Sequence, residues 1–406
     1  MTEMTDPDPQ PGKAEGLPAA PARRSEIDPF IVMDVMRAAN ECEASGENIV
    51  HMEVGQPGTP APRAVIDAAK RALDAERLGY TEALGLPQLR ERIAQHYRDR
   101  YGVRIAPERV VVTTGSSAGF ILAFLAILDP GARMALPAPG YPCYRHILRA
   151  LGAVPVSIET GPDTRWVPVP AQLEALRREG PLNGLLLASP ANPTGTMLTG
   201  SALAELCAAC DRMGLWFVSD EIYHGLDYTE PAQTALAHSD AAIVINSFSK
   251  YFSMTGWRIG WMVVPQGLVR TVERLAQNLY ISPPTLSQHA AIAAFDATEE
   301  LEALKAVYAR NRDLLLEELP KAGFTQIVPA DGAFYLYADV RHLTNDSAEF
   351  AARMLKEASV AATPGIDFDP GRGSHFMRFS YAGTTPDMAE AAKRLQAWLR
   401  RGGSAG

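Results

Sequence analysis

The most constraining feature of this 406-residue sequence is a series of seven short apolar runs, each ending at a polar or glycine-rich turn. Amphipathic helical patterns at 120–128, 144–151 and 203–212 separate several of these runs. Near-continuous apolar strands that alternate with such helices are typical of a mostly parallel sheet covered by helices on both faces. We therefore predict an α/β fold with strands at 110–114, 133–136, 154–158, 184–188, 216–219, 243–246 and 259–264.

The pattern changes after about residue 284 and predicts a second, smaller α+β domain. Helical patterns occur at 286–295, 301–319 and 347–359, and strand patterns at 332–337 and 375–381. Residues 1–25 are rich in proline and acidic residues and contain no aromatic residue, which is typical of a disordered tail. We expect a large domain at 56–285, a small domain that combines 26–55 with 286–400, and a short tail at 401–406.

Composition argues against several classes of protein. With 38 Lys and Arg residues against 47 Asp and Glu residues, the net charge of −9 disfavours a protein that neutralises nucleic-acid phosphates. Four cysteines do not make a disulfide scaffold, and the longest uncharged apolar run is about half of a membrane span. Because the N-terminal residues lack the apolar run of a secretory signal, we expect a cytoplasmic protein with no nucleic-acid or membrane partner.

Candidate site residues follow the strands, because ligands of such sheets bind at the carboxyl ends of the strands. Lys250 follows the strand at 243–246, and a lysine in that place is costly unless its amine is used or paired. Burial and nearby cations lower the pKa of an amine, which favours Schiff-base chemistry, whereas a lone lysine would more often reach solvent. Asp220 ends another strand, where a carboxylate can hold a protonated pyridine nitrogen or, alternatively, cap a helix.

Two groups of donors suit a phosphate. Ser247, Ser249 and Arg258 supply two hydroxyls and a guanidinium. The segment Gly115-Ser116-Ser117 lies between a strand and a helix, where backbone N–H groups and the positive helix end form a second cradle. The sequence has no P-loop and no G-x-G-x-x-G, which argues against a nicotinamide dehydrogenase, and no H-E-x-x-H, so we predict no metal site.

The segment at 247–260, SFSKYFSMTGWRIG, resembles the lysine-attachment motif of class I/II aminotransferases, which are fold-type I enzymes that use pyridoxal 5′-phosphate (PLP). Other segments occur in the order of that family, and the resemblance covers roughly residues 27–400. The architecture is most similar to the aspartate/aromatic aminotransferase branch. The matching segments are YTEALGLPQLR at 80–90, TGSS at 114–117, PGYP at 139–142, NPTG at 192–195, DEIY at 220–223 and MRFSYA at 377–382.

The resemblance implies a role in cofactor binding or catalysis for several matching residues. Lys250 forms a Schiff base with PLP and moves the proton between Cα and C4′, while Asp220 pairs with the pyridine nitrogen. Tyr223 and Asn192 hydrogen-bond the phenolic oxygen, and Tyr141 stacks on the ring. The phosphate is held by Ser116, Ser117, Ser247, Ser249 and Arg258.

The resemblance also implies substrate and subunit contacts. Arg378 forms a two-pronged pair with the substrate α-carboxylate, and Asn192 and Gly55 complete the substrate site. Gln56 stands where the family commonly has an acidic residue, so the entrance of the site differs from that pattern. Tyr80 reaches the PLP phosphate of the partner subunit, which implies a homodimer with shared active sites. We find no residue dedicated to a side-chain carboxylate, so a dicarboxylate preference is unsupported.

Three functions stay open from the sequence. The first is a PLP-dependent aminotransferase that passes the amino group of an L-amino acid to a 2-oxo acid. A carbon–sulfur β-lyase needs the same lysine, aspartate and arginine but no oxo-acid acceptor. A non-catalytic PLP-binding regulator is disfavoured, because the chain is acidic and only about 25 residues precede the predicted fold.

Overall fold

The computed structural model describes residues 20–402 of the chain. The α-helices are α1 Ile31–Ala44, α2 Arg63–Ala75, α3 Pro87–Tyr101, α4 Gly115–Ile127, α5 Pro142–Ala150, α6 Pro170–Glu179, α7 Gly200–Met213, α8 Val269–Leu279, α9 Thr285–Ala294, α10 Thr298–Lys321, α11 Ser347–Ala358 and α12 Thr385–Arg400. The strands are β1 Val50–His51, β2 Val110–Thr113, β3 Arg133–Ala138, β4 Val154–Glu159, β5 Gly184–Ala188, β6 Trp216–Asp220, β7 Ile243–Ser247, β8 Gly260–Val263, β9 Gln326–Ile327, β10 Tyr335–Asp339, β11 Val360–Ala361, β12 Thr363–Pro364 and β13 Phe376–Ser380.

The central sheet contains all seven strands predicted between residues 110 and 264, in the order β2-β8-β7-β6-β5-β3-β4. β8 is antiparallel to both of its neighbours, and the other pairings are parallel. All residues of β2 and β7 are buried, as expected for strands covered on both faces. Alternate residues of β7 face different core clusters: Val244 packs into one, and Ile243 and Ile245 into the other. The predicted α/β fold is confirmed.

A smaller four-stranded antiparallel sheet, β12-β13-β10-β9, accompanies α10, α11 and α12. The short strand β1 pairs in parallel with β11, which joins the N-terminal segment to this part of the chain. The strand predicted at 332–337 begins later, at Tyr335, because Ala333 has a φ of +61° and the preceding residues form a turn. The domain limits proposed from the sequence stay a prediction.

Most of the two predicted tails lies outside the described residues, which exclude 1–19 and 403–406. In the described part of the N-terminal tail, Arg23–Ser25 form one turn of 3-10 helix. Between residues 20 and 402 we find no helix that is both long and apolar enough to cross a membrane. The same residues contain no group of three or more His, Cys, Asp or Glu side chains that could hold a metal ion.

Candidate active site

A cavity of about 470 Å³ lies at the carboxyl ends of β5, β6 and β7, beside the N-terminus of α4. Its wall contains every site residue predicted from the sequence except Ser247 and Tyr80. The polar residues that line it are Gln56, Ser116, Ser117, Tyr141, Tyr144, Asn192, Asp220, Tyr223, Ser249, Lys250, Thr255, Arg258, Tyr335 and Arg378, together with Gly55. The rule that ligands bind where parallel strands end therefore locates the cavity correctly.

Lys250 follows β7 and points its amine into the cavity. Its Nζ donates a hydrogen bond of 2.6 Å to the backbone oxygen of Gly55. Burial, and the positive charges of Arg378 and Arg258, lower the pKa of Lys250 from 10.5 to about 8, and Asp220 opposes this change. The neutral amine, which is the nucleophilic form, is therefore within reach near neutral pH.

Asp220 is 2% exposed at the end of β6. Its Oδ2 accepts a short hydrogen bond from the hydroxyl of Tyr144, and its Oδ1 accepts one of 3.0 Å from the N–H of Ile222. Burial raises the pKa of Asp220 to about 6, against the hydrogen bonds from Tyr144 and Ile222 and the charge of Lys250, which lower it. Asp220 is thus an anion at neutral pH, directed into the cavity. Sequence reasoning missed Tyr144, which lies in the first turn of α5 and packs edge to face with Tyr141, with ring centroids 5.2 Å apart.

Three of the donors predicted for a phosphate, Ser116, Ser117 and Arg258, meet at the start of α4. Ser116 and Ser117 lie in its first turn, and Arg258 packs against Gly115. A side chain at residue 115 would place its Cβ 2.5 Å from Arg258 Nη2, and the φ of +73° also requires glycine. Helix N–H groups, hydroxyls and a guanidinium together form an anion site.

Ser247 does not line the cavity. It is 1% exposed behind the wall, and its hydroxyl donates a hydrogen bond of 2.9 Å to Oγ of Ser249, which does line the cavity. The direct phosphate contact that we predicted for Ser247 stays a prediction. Its position suits a residue that orients Ser249.

Arg378 on β13 is 1% exposed, and its guanidinium lies between two aromatic rings, 4.4 Å from the Tyr335 centroid and 4.7 Å from the Phe368 centroid. Nη1 donates to Asn192 Oδ1 at 3.0 Å, and Nη2 donates to the backbone oxygen of Glu53. Among the described residues, Nε has no acceptor. A buried, unpaired donor on a guanidinium of fixed orientation is suited to a substrate carboxylate.

Gly55 and Tyr223 are both fixed by Tyr335, a residue that the sequence analysis did not single out. A Cβ at residue 55 would lie 1.7 Å from the Tyr335 hydroxyl, so only glycine fits there. The hydroxyls of Tyr223 and Tyr335 are 2.7 Å apart. Tyr335 was missed because its partners Tyr223 and Gly55 lie far away in the sequence, 112 residues away in the case of Tyr223.

The remaining wall is apolar and comes largely from the N-terminal segment. Phe30, Val32, Met33 and Met36, on or next to α1, line the cavity together with Val54. The ring of Phe30 meets that of Tyr141 edge to face, with centroids 5.8 Å apart. No local pattern in the sequence predicts this wall. Its residues belong to no motif, and they are far in sequence from the strands that carry the other site residues.

Tyr80 lies outside this cavity and is 83% exposed. It lines a second, more open cavity of about 1200 Å³, together with residues from 76–88 and 282–292. The two cavities have no described lining residue in common. Its predicted role in a partner subunit stays a prediction.

The fold and these side chains define a fold-type I PLP-dependent enzyme. The donor set fits PLP: an anion site for the phosphate, a buried carboxylate for the ring nitrogen, and a lysine with a lowered pKa. The model of the family described as aminotransferase class I and II matches residues 47–395, and the chain belongs to this family.

Similar proteins agree with this assignment. The chain is 48% identical over 382 residues to the valine–pyruvate aminotransferase of Mycobacterium tuberculosis. The alignment covers 93% of this chain and 98% of that protein. It superposes on a crystal structure of an aminotransferase from the same organism with a TM-score of 0.92, at 48% identity over 94% of this chain and 100% of that one. With the aspartate aminotransferase of Thermus thermophilus the TM-score is 0.88, at 31% identity over 93% and 99% of the two chains.

The protein is thus a PLP-dependent aminotransferase that transfers an amino group from an L-amino acid to a 2-oxo acid. These three relatives are named as aminotransferases, and nothing in the comparison favours the carbon–sulfur lyase.

Proposed function

We propose that the enzyme acts on apolar L-amino acids that carry one carboxylate, and on the matching 2-oxo acids. The wall formed by Phe30, Val32, Met33 and Met36 carries this proposal, because an apolar surface suits an apolar substrate side chain. The cations among the described lining residues are Lys250, Arg258 and Arg378. We assign them to the Schiff base, the cofactor phosphate and the substrate α-carboxylate, so none of the three is left to pair with a second substrate carboxylate. The relative named for valine and pyruvate supports the same class.

The residues that would hold PLP follow from the donor set. We assign the phosphate to Ser116, Ser117, Ser247, Ser249 and Arg258, and the ring nitrogen to Asp220. Asn192 and Tyr223 would hydrogen-bond the phenolic oxygen, and Tyr141 would lie against the ring. When bound, PLP supplies the electron sink that allows the Cα proton of the amino acid to leave.

Residues of the chain would bind the α-carboxylate, transfer the proton and exclude water. Arg378 and Asn192 hold the α-carboxylate and so orient the Cα–H bond, since the aromatic rings beside Arg378 fix the plane of its guanidinium. Lys250 Nζ would move the proton between Cα of the substrate and C4′ of the cofactor. A pKa of about 8 suits this task, because the amine can then both accept and donate the proton near neutral pH. The wall from α1 excludes water from this exchange.

A comparison of matched amino acids tests the substrate class. Leucine and aspartate both branch at Cγ, so they differ mainly in polarity. With PLP enzyme and no oxo acid, loss of the lysine-bound cofactor absorbance should be about a hundredfold faster with leucine, because an unpaired carboxylate is costly to bury. Equal rates with leucine and aspartate would contradict the proposed class while leaving the aminotransferase activity intact.

We further propose a homodimer with shared active sites, and a cytoplasmic location stays a prediction. Tyr80, Leu279 and Ile281 are at least half exposed, with 83%, 50% and 54% of their surface accessible. Their segments touch, since Thr285 Oγ1 donates to the backbone oxygen of Gly79 at 2.6 Å. Exposed apolar residues gathered in this way are typical of a subunit interface.

Hybrid dimers test the sharing. Lys250→Ala chains are co-expressed with Tyr80→Phe chains, and the hybrid is isolated. If Tyr80 acts in the partner's site, one site carries both defects and the other none, so about half of the wild-type activity returns. A monomer in solution, or a hybrid no better than half as active as a clearly impaired Tyr80→Phe homodimer, would reject the shared site.

A further inference from the structure

Helix α1, which carries the apolar wall, is held to the rest of the protein by few buried residues. Of its fourteen residues, all of them described, only Val32 and Ala39 are buried. The N-cap position is Phe30, whose side chain has no acceptor for the free N–H groups of the first turn. A helix with little buried surface and no local cap is expected to fray at that end.

Asp367 supplies the missing cap from a distant part of the chain. Its Oδ1 and Oδ2 accept hydrogen bonds from the N–H groups of Ile31, at 3.3 Å, and Val32, at 3.2 Å. These residues are more than 330 positions apart in sequence. The carboxylate is fully buried, and a negative charge at the N-terminus of a helix is favourable. The contact is therefore a specific attachment of α1 to the segment around Asp367.

The segment around Asp367 is tied in turn to the active site. The backbone oxygen of Asp367 accepts a hydrogen bond of 2.7 Å from Arg145, on α5. The backbone oxygen of Phe368 accepts one of 3.1 Å from the N–H of Gly140, next to Tyr141. The ring of Phe368 lies under Arg378 and packs with Val32. Asp367 thus connects the apolar wall to the parts of the site that we assign to the ring and to the α-carboxylate.

We propose that Asp367 is a positioning residue for substrate specificity: by capping α1 from outside the helix, it holds the apolar wall against the substrate side chain. This inference rests on the proposed preference for apolar amino acids. A short side chain such as that of alanine does not extend far from Cα, whereas valine or leucine does. Loss of the cap should therefore penalise the larger substrates selectively.

The chain offers a matched control in Asp346. Its carboxylate also accepts two helix N–H groups, those of Ala348 at 2.9 Å and Glu349 at 3.1 Å, but it caps α11, which does not line the cavity. Asp367→Ala should lower the ratio of kcat/KM for leucine to that for alanine by about threefold to thirtyfold, the usual effect of a lost cap. Asp346→Ala should leave the ratio unchanged. Effects on α-carboxylate binding cancel, because both substrates carry that group.

Hydrogen exchange provides a readout that needs no substrate. In the holoenzyme, Asp367→Ala should accelerate amide exchange in peptides from the start of α1 and leave α11 unchanged, and Asp346→Ala should do the reverse. If Asp367→Ala does not fold, Asp367→Asn, which keeps one acceptor oxygen, should give smaller changes in the same direction.

Unchanged exchange in α1 would overturn the attachment, and faster exchange with an unchanged ratio would overturn its role in specificity. If the wild type shows no preference for apolar substrates, the proposed substrate class fails, and the exchange measurement still decides whether Asp367 holds α1.

Discussion

Tyr144→Phe removes the hydroxyl that donates to Asp220 while keeping the ring that fills the wall. A hydrogen bond to a charged group contributes about 1.5–3 kcal/mol, and 1.36 kcal/mol corresponds to one pH unit. The pKa of Asp220, about 6 in the wild type, should therefore rise by about one to two pH units. At pH 7 Asp220 is mostly ionised in the wild type and should be half or more protonated in the variant.

Binding of pyridoxamine 5′-phosphate to the apoenzyme measures this change directly. The ligand has no aldehyde and cannot bond to Lys250, so its dissociation constant follows the charge of Asp220. In the wild type, affinity should fall as the pH drops through about 6. In the variant the fall should begin about one to two pH units higher, because the lost hydrogen bond contributes about 1.5–3 kcal/mol. The ligand phosphate also titrates near pH 6, but equally with both proteins.

Tyr337→Phe is the control for loss of a buried hydroxyl, because the Tyr337 hydroxyl is buried with no partner among the described residues. This variant should bind the ligand with the wild-type pH dependence. A Tyr144→Phe profile that superimposes on the wild type would refute the reasoning, as would equal shifts in both variants.

Three other predictions concern the proposed catalytic residues. Asp220→Asn should lower kcat by orders of magnitude with little loss of thermal stability, because an amide cannot balance the protonated ring; a near wild-type kcat would assign that task to another group. Arg378→Lys should raise KM for amino acids about tenfold to a hundredfold without changing cofactor affinity, since a two-pronged contact becomes a single one; an unchanged KM would remove Arg378 from the substrate site. In the apoenzyme, reaction of Lys250 with pyridoxal phosphate should slow about tenfold for each pH unit below its pKa of about 8, because only the neutral amine reacts; a rate independent of pH between 6 and 8 would contradict that pKa.

The positions of Asn192, Asp220 and Lys250 could be predicted because they depend on strong local signals. Each lies at or just after the end of a continuous apolar strand, and parallel strands present their carboxyl ends at one edge of the sheet. Gly55 could also be predicted as a site residue. The physical reason for a glycine there could not be predicted, because it is the Tyr335 hydroxyl that occupies the space where a Cβ would lie.

Other parts of the site depend on contacts between distant segments and leave no local pattern. Tyr144 acts on Asp220, 76 residues away, and α1 is capped by Asp367 from the far end of the chain. The start of β10 was misplaced because the aromatic cluster predicts a strand, whereas Ala333 adopts a left-handed conformation. The limits of a strand are the least certain part of a sequence-based prediction.

The most direct test of the central claim is to identify the lysine that carries the cofactor. Borohydride treatment of the PLP-loaded enzyme fixes the cofactor on its lysine, and peptide mass spectrometry then locates the added mass. We predict a single modified site, Lys250, and no modification after the enzyme has been treated with excess amino donor. Modification of a different lysine, or a fully active enzyme in which Lys250 stays unmodified, would contradict the account.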